Sequence, residues 1–275
     1  MNLLGIDFEE WFHPELIQKN LSIKEKKFSV INGIDKILDW LQKRDTYATF
    51  FVVGELLEYK NELLDKILSN GHEIAFHTMY HNRLDSENFQ QQFDLELKAF
   101  ENLTNKKSKG FRAPSFSLNQ ETSWAIDILI KNGYEYDSSI VPAKTRLYGV
   151  PNAEKNPYLI SSNRVEKNNP DSILMEYPLL TTNFFGKTVV SAGGFYIRTL
   201  PLYFLKKEIS SRNNQNFPAT MYIHSWELTP EFMPKIKLPP SDSFVTYYNL
   251  ENAFSKMDQL LQEFEFTSFE KFRKQ

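Results

Sequence analysis

Cysteine is absent from the 275 residues. That excludes disulfides, thiolate metal sites and a cysteine nucleophile. It leaves the compartment open, because a cytoplasmic protein does not need the residue. A basic surplus is also missing. The chain has 32 Lys and Arg against 35 Asp and Glu, a formal net charge of −3. The basic residues are spread along the chain, so no nucleic-acid partner is expected. No window approaches 18 uninterrupted apolar residues, and no transmembrane segment is expected. The opening MNLLGIDFEEWF lacks a basic stretch followed by an apolar one, so it does not read as a signal peptide. The expectation is a cytoplasmic chain. Internal repeats and Gly/Ser linkers are missing too, which makes residues 1–275 a single domain on the most economical reading. Aromatic residues, by contrast, are plentiful: 23 Phe and 13 Tyr in a chain that is 41% hydrophobic. Disorder is thereby excluded and a globular core is within reach.

Short apolar runs alternate with helical periodicity through the first half. Residues 2–7 read as a buried strand. Ile31, Ile34, Ile37, Leu38 and Leu41 follow a helix face. Residues 46–53 are β-branched and aromatic, and Gly54 closes them. Leu56 to Leu68 suggests a second helix ended by Asn70-Gly71. A short strand at 72–76, a helix through Phe89, Phe93, Leu97 and Phe100, a strand opened by Gly110-Phe111, a helix at 124–130 and a strand at 134–137 follow. This repeated β-α order predicts a largely parallel sheet or barrel. Residues 141–170 hold four prolines and little periodicity, and read as a long surface excursion. Strand-like runs return at 172–180 and 219–224, and a last helix spans Leu250 to Phe264.

Chemistry in such folds sits at the carboxyl ends of the strands. Those ends carry Asp7 with Glu9, His77 with His81, Arg112, Asp137 and His224. His77-Thr78-Met79-Tyr80-His81 sets two imidazoles four apart. They face the same side if the segment turns helically, a common way to offer two nitrogens to one divalent ion. The alternative is an idle surface pair. Asp7 and Glu9, two apart, share one face of an extended strand at roughly 7 Å, and Glu10 faces the other way. Two buried carboxylates need a cation, which a metal held by two His and one carboxylate would supply. The alternative is a solvated acidic turn. Arg112, on a strand that Pro114 restricts, needs a carboxylate partner if it points inward. It either orients Asp7 or makes an ordinary surface salt bridge. His224 ends an apolar strand and is either a proton donor near neutral pH or a satisfied core histidine. His13 and His72 read as structural, the latter at the wrong end of its strand.

These motifs, in this order, resemble the polysaccharide deacetylases, carbohydrate esterase family 4. That family has an acidic first motif, here Asp7 in GIDFEEW. Its second, H-[ST]-x-x-H, is His77 to His81, and its third, R-x-P, is Arg112-Ala113-Pro114. A fourth aromatic/Asp motif resembles Tyr136-Asp137-Ser138-Ser139, and a late histidine matches His224. The likeness covers roughly residues 2–140 and 217–270. GIDFEEWFH, Gly193-Gly194-Phe195-Tyr196-Ile197-Arg198 and the HSWE run resemble the exosortase-associated and exopolysaccharide gene-cluster subgroup. Two departures stand out. The wider family has adjacent Asp-Asp in its first motif, where this chain has Phe8 after Asp7. A D-x-D variant maps onto Asp7-x-Glu9, with Glu10 as rival. Ser225 replaces a proline common in the subgroup.

The resemblance implies an α/β fold, a distorted and incomplete (β/α) barrel of about seven parallel strands. A family-specific insertion would occupy about 141–215 and shape the substrate groove. The site would hold a divalent metal, zinc or else cobalt, iron or nickel, on Glu9, His77 and His81. Asp7 would be the base, held by Arg112, and His224 the acid. Asp137 and Trp226 would contact substrate. The implied reaction removes N-acetyl groups from an acetamido sugar of a cell-surface polysaccharide or its lipid-linked precursor, with peripheral contact to the lipid. Loss of formyl or another acyl group, or a catalytically silent glycan-binding relative, stays open.

Overall fold

The structure is a computed structural model, and it describes residues 1–21, 25–105, 107–184 and 186–275. Its frame is a nine-stranded sheet. The strands are β1 (Asn2–Phe8), β2 (Thr49–Val52), β3 (Glu73–Phe76), β4 (Gly110–Phe111), β5 (Tyr136–Asp137), β6 (Tyr158–Ile160), β7 (Leu174–Glu176), β10 (Thr220–His224) and β11 (Phe266–Thr267). β8 (Thr181–Phe184) and β9 (Lys187–Val190) form a separate antiparallel hairpin. The order is β10-β1-β2-β3-β4-β5-β7-β6, with β11 also on β1. Every pairing in the sheet is parallel except β6 on β7. The path therefore has seven parallel strands and one antiparallel edge, as the β-α alternation predicts.

The sheet curls into a half-barrel. Beyond β7 the chain is irregular, yet it lies along the free edge of β10. Leu180 N–H donates to the Thr220 carbonyl at 3.0 Å, and Tyr222 N–H to that of Ala192 at 2.9 Å. Strand alternation separates two cores. Leu4, Ile6, Phe8, Phe50, Val52, Ile74 and Phe76 face outward, where the helices Ile34–Lys43, Gly54–Tyr59, Glu62–Ser69, Phe89–Leu103 and Trp124–Lys131 cover them. Leu3, Phe51, Ala75, Tyr136 and Tyr177 face inward and pack with Phe269.

Phe269 comes from the last helix, Phe269–Arg273, which plugs the floor of the barrel. Its ring stacks on Tyr136 at 5.1 Å and meets Phe51 edge-on. Beside it the Glu73 carboxylate accepts from Tyr136 Oη at 2.7 Å, from the Glu270 N–H at 2.9 Å, and from Thr49 Oγ1.

Three elements differ from the sequence expectation. The helix expected over 56–68 is two, Gly54–Tyr59 and Glu62–Ser69, broken at Lys60 where φ is −133°. The run 172–180 is a strand only at Leu174–Glu176, because Pro178 cannot donate to a ladder. The excursion at 141–170 contains β6, which closes the sheet edge.

Candidate active site

The carboxyl ends of β1, β3, β4 and β10 surround one cleft. Asp7 ends the inward face of β1 and is 3% exposed. Arg112 follows β4, lies wholly buried and crosses the barrel interior to meet it. Its Nη1 donates to Asp7 Oδ1 at 2.6 Å. Its Nε and Nη2 donate to the carbonyl and Oγ of Ser138, both at 2.9 Å. The guanidinium lies 3.9 Å over the Phe51 ring. Gly5 makes this crossing possible, since a Cβ there would sit 2.6 Å from Arg112 Nη1 and 2.9 Å from the Phe51 ring.

Glu9, His77 and His81 come together, with one donor atom from each inside a mutual distance of 4.8 Å. All three are buried. Glu9 Oε1 accepts from Trp226 Nε1 at 2.9 Å. Its Oε2 is 2.7 Å from His81 Nε2 but has no aligned donor. His77 Nδ1 donates to the Arg112 carbonyl at 2.7 Å, which leaves Nε2 as the nitrogen with a lone pair. Burial pushes the His77 imidazole down to about 4, so it is neutral. Burial also raises the Glu9 carboxyl, but the surrounding imidazoles of His81, His224 and His77 outweigh it and hold the group well below the usual range.

The two histidines do not reach this position through a helical turn. Thr78 and His81 both have φ of 57°, so the segment is a left-handed bend. Glu96 accepts the Met79 N–H at 2.9 Å, and the N–H groups of Gly54 and Glu55 donate to the carbonyls of Thr78 and Met79. The bend is thus pinned by its neighbours. Behind it, the His13 ring stacks on His81 at 5.5 Å. His13 Nδ1 accepts from the Glu10 N–H at 3.0 Å, and Nε2 donates to Glu55 at 2.5 Å. Glu10 turns away from the cleft and accepts the N–H groups of Ser29, Val30 and Ile31 at 2.9–3.1 Å. His72 sits at the other end of β3, where its Nδ1 accepts from Ala48 N–H.

His224 closes the opposite wall. Its ring stacks on Trp226 at 4.6 Å. Nε2 is 3.9 Å from Glu9 Oε1. Nδ1 donates to Glu227 Oε2 at 2.7 Å, and Glu227 Oε1 forms an ion pair with Arg198 Nε at 2.8 Å. Its side chain is 19% exposed, more than those of Glu9 (2%) and His81 (6%). Burial would lower the imidazole, but the Glu227 charge and hydrogen bond, with Glu9 and Asp7, raise it to about 9. Glu227 and Arg198 have no role in the sequence reading. The only local signal is a glutamate three residues after a strand-end histidine.

Asp137, expected to contact substrate, is not among the residues that line the cleft. It is fully buried, and its carboxylate accepts from Ser139 Oγ at 2.6 Å and Ser139 N–H at 3.2 Å. The Ser138 beside it holds Arg112, so the motif acts at one remove. The cleft is otherwise walled by Phe116, Leu147, Tyr148, Phe195, Tyr222 and Thr246. Gly193 lets the backbone run against Tyr222, where a Cβ would sit 1.7 Å from the carbonyl oxygen.

Comparison with known proteins agrees with this arrangement. A polysaccharide deacetylase profile matches residues 32–136. A domain of unknown function (DUF3473), typical of exopolysaccharide-associated deacetylases, matches 138–274. The chain belongs to the polysaccharide deacetylase family, carbohydrate esterase family 4. No structural boundary falls where the two matches meet, since β5 pairs with both β4 and β7, and β1 with β10. A Helicobacter pylori peptidoglycan deacetylase is 30% identical over 112 residues, 40% of this chain and 37% of that protein. A Rhizobium leguminosarum chitooligosaccharide deacetylase is 45% identical over 47 residues, 17% of this chain and 20% of that one. The chain thus matches well under half the length of either polysaccharide deacetylase relative. A solved Mycobacterium smegmatis structure assigned to the polysaccharide deacetylases has a TM-score of 0.60 at 15% identity, over 99% of this chain and 89% of that one. An allantoinase structure has a TM-score of 0.53 at 14% identity, over 96% and 86%. Both show the fold. Among the described residues, no helix is long and apolar enough to cross a membrane.

Proposed function

We propose that this polysaccharide deacetylase is a metal-dependent hydrolase that removes N-acetyl groups from an acetamido sugar of a cell-surface polysaccharide or its lipid-linked precursor. One observation carries the reading. The Glu9, His77 and His81 donor cluster shares a cleft with an Arg-held carboxylate and a Glu-held histidine. The donor set fits a divalent ion: two imidazoles, one carboxylate, and in Glu9 Oε2 a buried oxygen with no aligned donor. Zinc is the favoured ion, and cobalt, iron and nickel accept the same ligands. When bound there, such an ion supplies Lewis-acid polarisation of the amide carbonyl and a lowered pKa for water.

The chain's own residues supply the proton transfers. Arg112 holds one Asp7 oxygen, which leaves the other to take the proton of the attacking water. An amine leaves poorly unless protonated, and His224 Nε2 faces the cleft to protonate it. Glu227 fixes the His224 ring through Nδ1–H, and Trp226 packs it from one face while donating to Glu9. The products are acetate and a free amino sugar. Within the segment 141–215, Leu147, Tyr148, Phe195 and Arg198 line the cleft, which supports a groove-shaping role for it.

The test is acetate release from N-acetylglucosamine oligomers by protein stripped with a chelator and then reloaded with zinc. Reloaded protein should release acetate, and stripped protein and Asp7→Asn should not. Equal release with and without metal would overturn the metal dependence. No release by the reloaded protein would overturn the deacetylase reading.

A further inference from the structure

Three aromatic rings lead out of the cleft onto open surface. Phe195 lines the cleft, and its ring centroid is 5.9 Å from that of Phe244. Phe244 in turn meets Tyr248 at 4.7 Å. Phe244 is 53% exposed and Tyr248 42%. The rings are nevertheless held in a fixed relation. The buried Arg198 guanidinium lies 5.7 Å from the centre of the Phe195 ring. The same guanidinium donates to the carbonyls of Val245, Thr246 and Tyr248 at 2.8–3.0 Å, along the segment that bears the other two rings. One buried arginine thus joins the cleft wall to the exposed pair.

An exposed, rigid aromatic run that is continuous with a binding cleft marks a ligand path. The chain's net charge of −3 works against docking on anionic lipid. A pyranose suits the surface better. Its C–H faces are apolar, and they meet the electron-rich face of an aromatic ring while the hydroxyl edges stay in water. We propose that Phe195, Phe244 and Tyr248 form a stacking platform for sugar units next to the one being deacylated, so the enzyme reads a chain rather than a single sugar. This rests on the glycan reading of the cleft.

Calorimetric titration of the full chain with N-acetylglucosamine oligomers of one to four units tests it. Wild-type affinity should rise with length. Phe244→Ala and Tyr248→Ala should each weaken tetramer binding by roughly tenfold, the scale of one lost aromatic contact. Both positions are exposed, and unchanged melting temperatures will show that the variants fold. No binding, binding independent of length, or variants that bind the tetramer like wild type would overturn the platform. So would sedimentation with phosphatidylglycerol–phosphatidylcholine vesicles that the double variant loses, since that assigns the rings to lipid. The readout is binding, so it separates from catalysis. Length-dependent binding lost in the variants supports the platform even if no acetate is released. Normal acetate release with unaltered tetramer binding in the variants removes the platform alone.

Discussion

His224 and Glu227 form a pair in which Nδ1 donates to Oε2 at 2.7 Å, and the His224 backbone N–H donates to the same oxygen at 3.2 Å. Burial raises Glu227, but the charges of His224 and Arg198 outweigh it and keep it ionised. The imidazole is therefore fixed in orientation and tautomer, with Nε2 to the cleft. Glu227→Gln keeps the size but loses the charge. Its kcat should fall roughly 10²-fold, the low end for acid–base groups, with the bound metal retained. Turnover within twofold of wild type would show that the pair is only a helix cap.

The donor cluster makes a separate claim, readable without substrate. His77→Ala and His81→Ala should lose zinc on dialysis, as measured by elemental analysis. Glu10→Gln should keep it, because Glu10 serves the N–H groups of residues 29–31 instead. The Glu10 variant should lose about 1 kcal/mol of stability, as a lost helix cap does. Zinc retained by both histidine variants, or lost from the Glu10 variant, would refute the ligand set.

Asp7→Asn should keep metal and fold while kcat falls by roughly 10²–10⁴. Arg112→Met differs, since it leaves Asp7 buried without its cation. A cost of about 3–5 kcal/mol is expected from breaking one side of a buried pair, visible as a lower denaturation midpoint. Wild-type stability in Arg112→Met would mean that the ion pair is not what holds the barrel interior.

Glu73 on the barrel floor predicts a pH dependence of stability. Burial raises its pKa to about 7 against an ordinary 4.5, despite hydrogen bonds from Thr49, Glu270 N–H and Tyr136 that lower it. An acid with a raised folded pKa binds its proton more tightly when folded. Its contribution is thus fully present below 4.5 and is lost as pH rises through 7. The loss amounts to about 3 kcal/mol. Glu73→Gln can turn its amide nitrogen to Tyr136 and keep its oxygen for Thr49 and Glu270. Thermal melts between pH 5 and 8 should show wild type losing several degrees that the variant does not. Parallel curves would dismiss Glu73 as the source.

Much of this was legible in the sequence because local signals carried it. β1 is apolar on both faces as a central parallel strand must be, and the strand–helix alternation needs only neighbours in the chain. Strand alternation favoured Glu9 over Glu10 in sequence, and the structure sets Glu9 beside His77 and His81 while Glu10 turns to the N–H groups of residues 29–31. What escaped depends on distant parts of the chain. The left-handed bend at Thr78 and His81 is set by Glu96 and by the N–H groups of Gly54 and Glu55, none of which a HxxxH spacing reveals. Asp137 looks like a strand-end acid in sequence, but Tyr136 takes the inward face of β5, so alternation turns the Asp137 carboxylate to the outer face. Arg198 meets Glu227 only because the chain returns along the β10 edge. The Phe269 plug needs β11 to lie on β1, across almost the whole sequence.

β1 leads to Asp7 and Glu9, yet one of the strands that flank it is β10, at Thr220–His224. On a ribosome adding about 5–20 residues per second, that partner follows roughly 10–40 s after β1 has been made. Throughout that interval the seven-residue strand presents an unpaired edge. Such edges recruit strands from other chains. The nascent protein is thus exposed to misassembly at the strand that leads to its two cleft carboxylates, and slower synthesis lengthens the exposure. The donor cluster is likewise completed late, because His77 leans on the Arg112 carbonyl, the bend before His81 on Glu96, and Glu9 on Trp226.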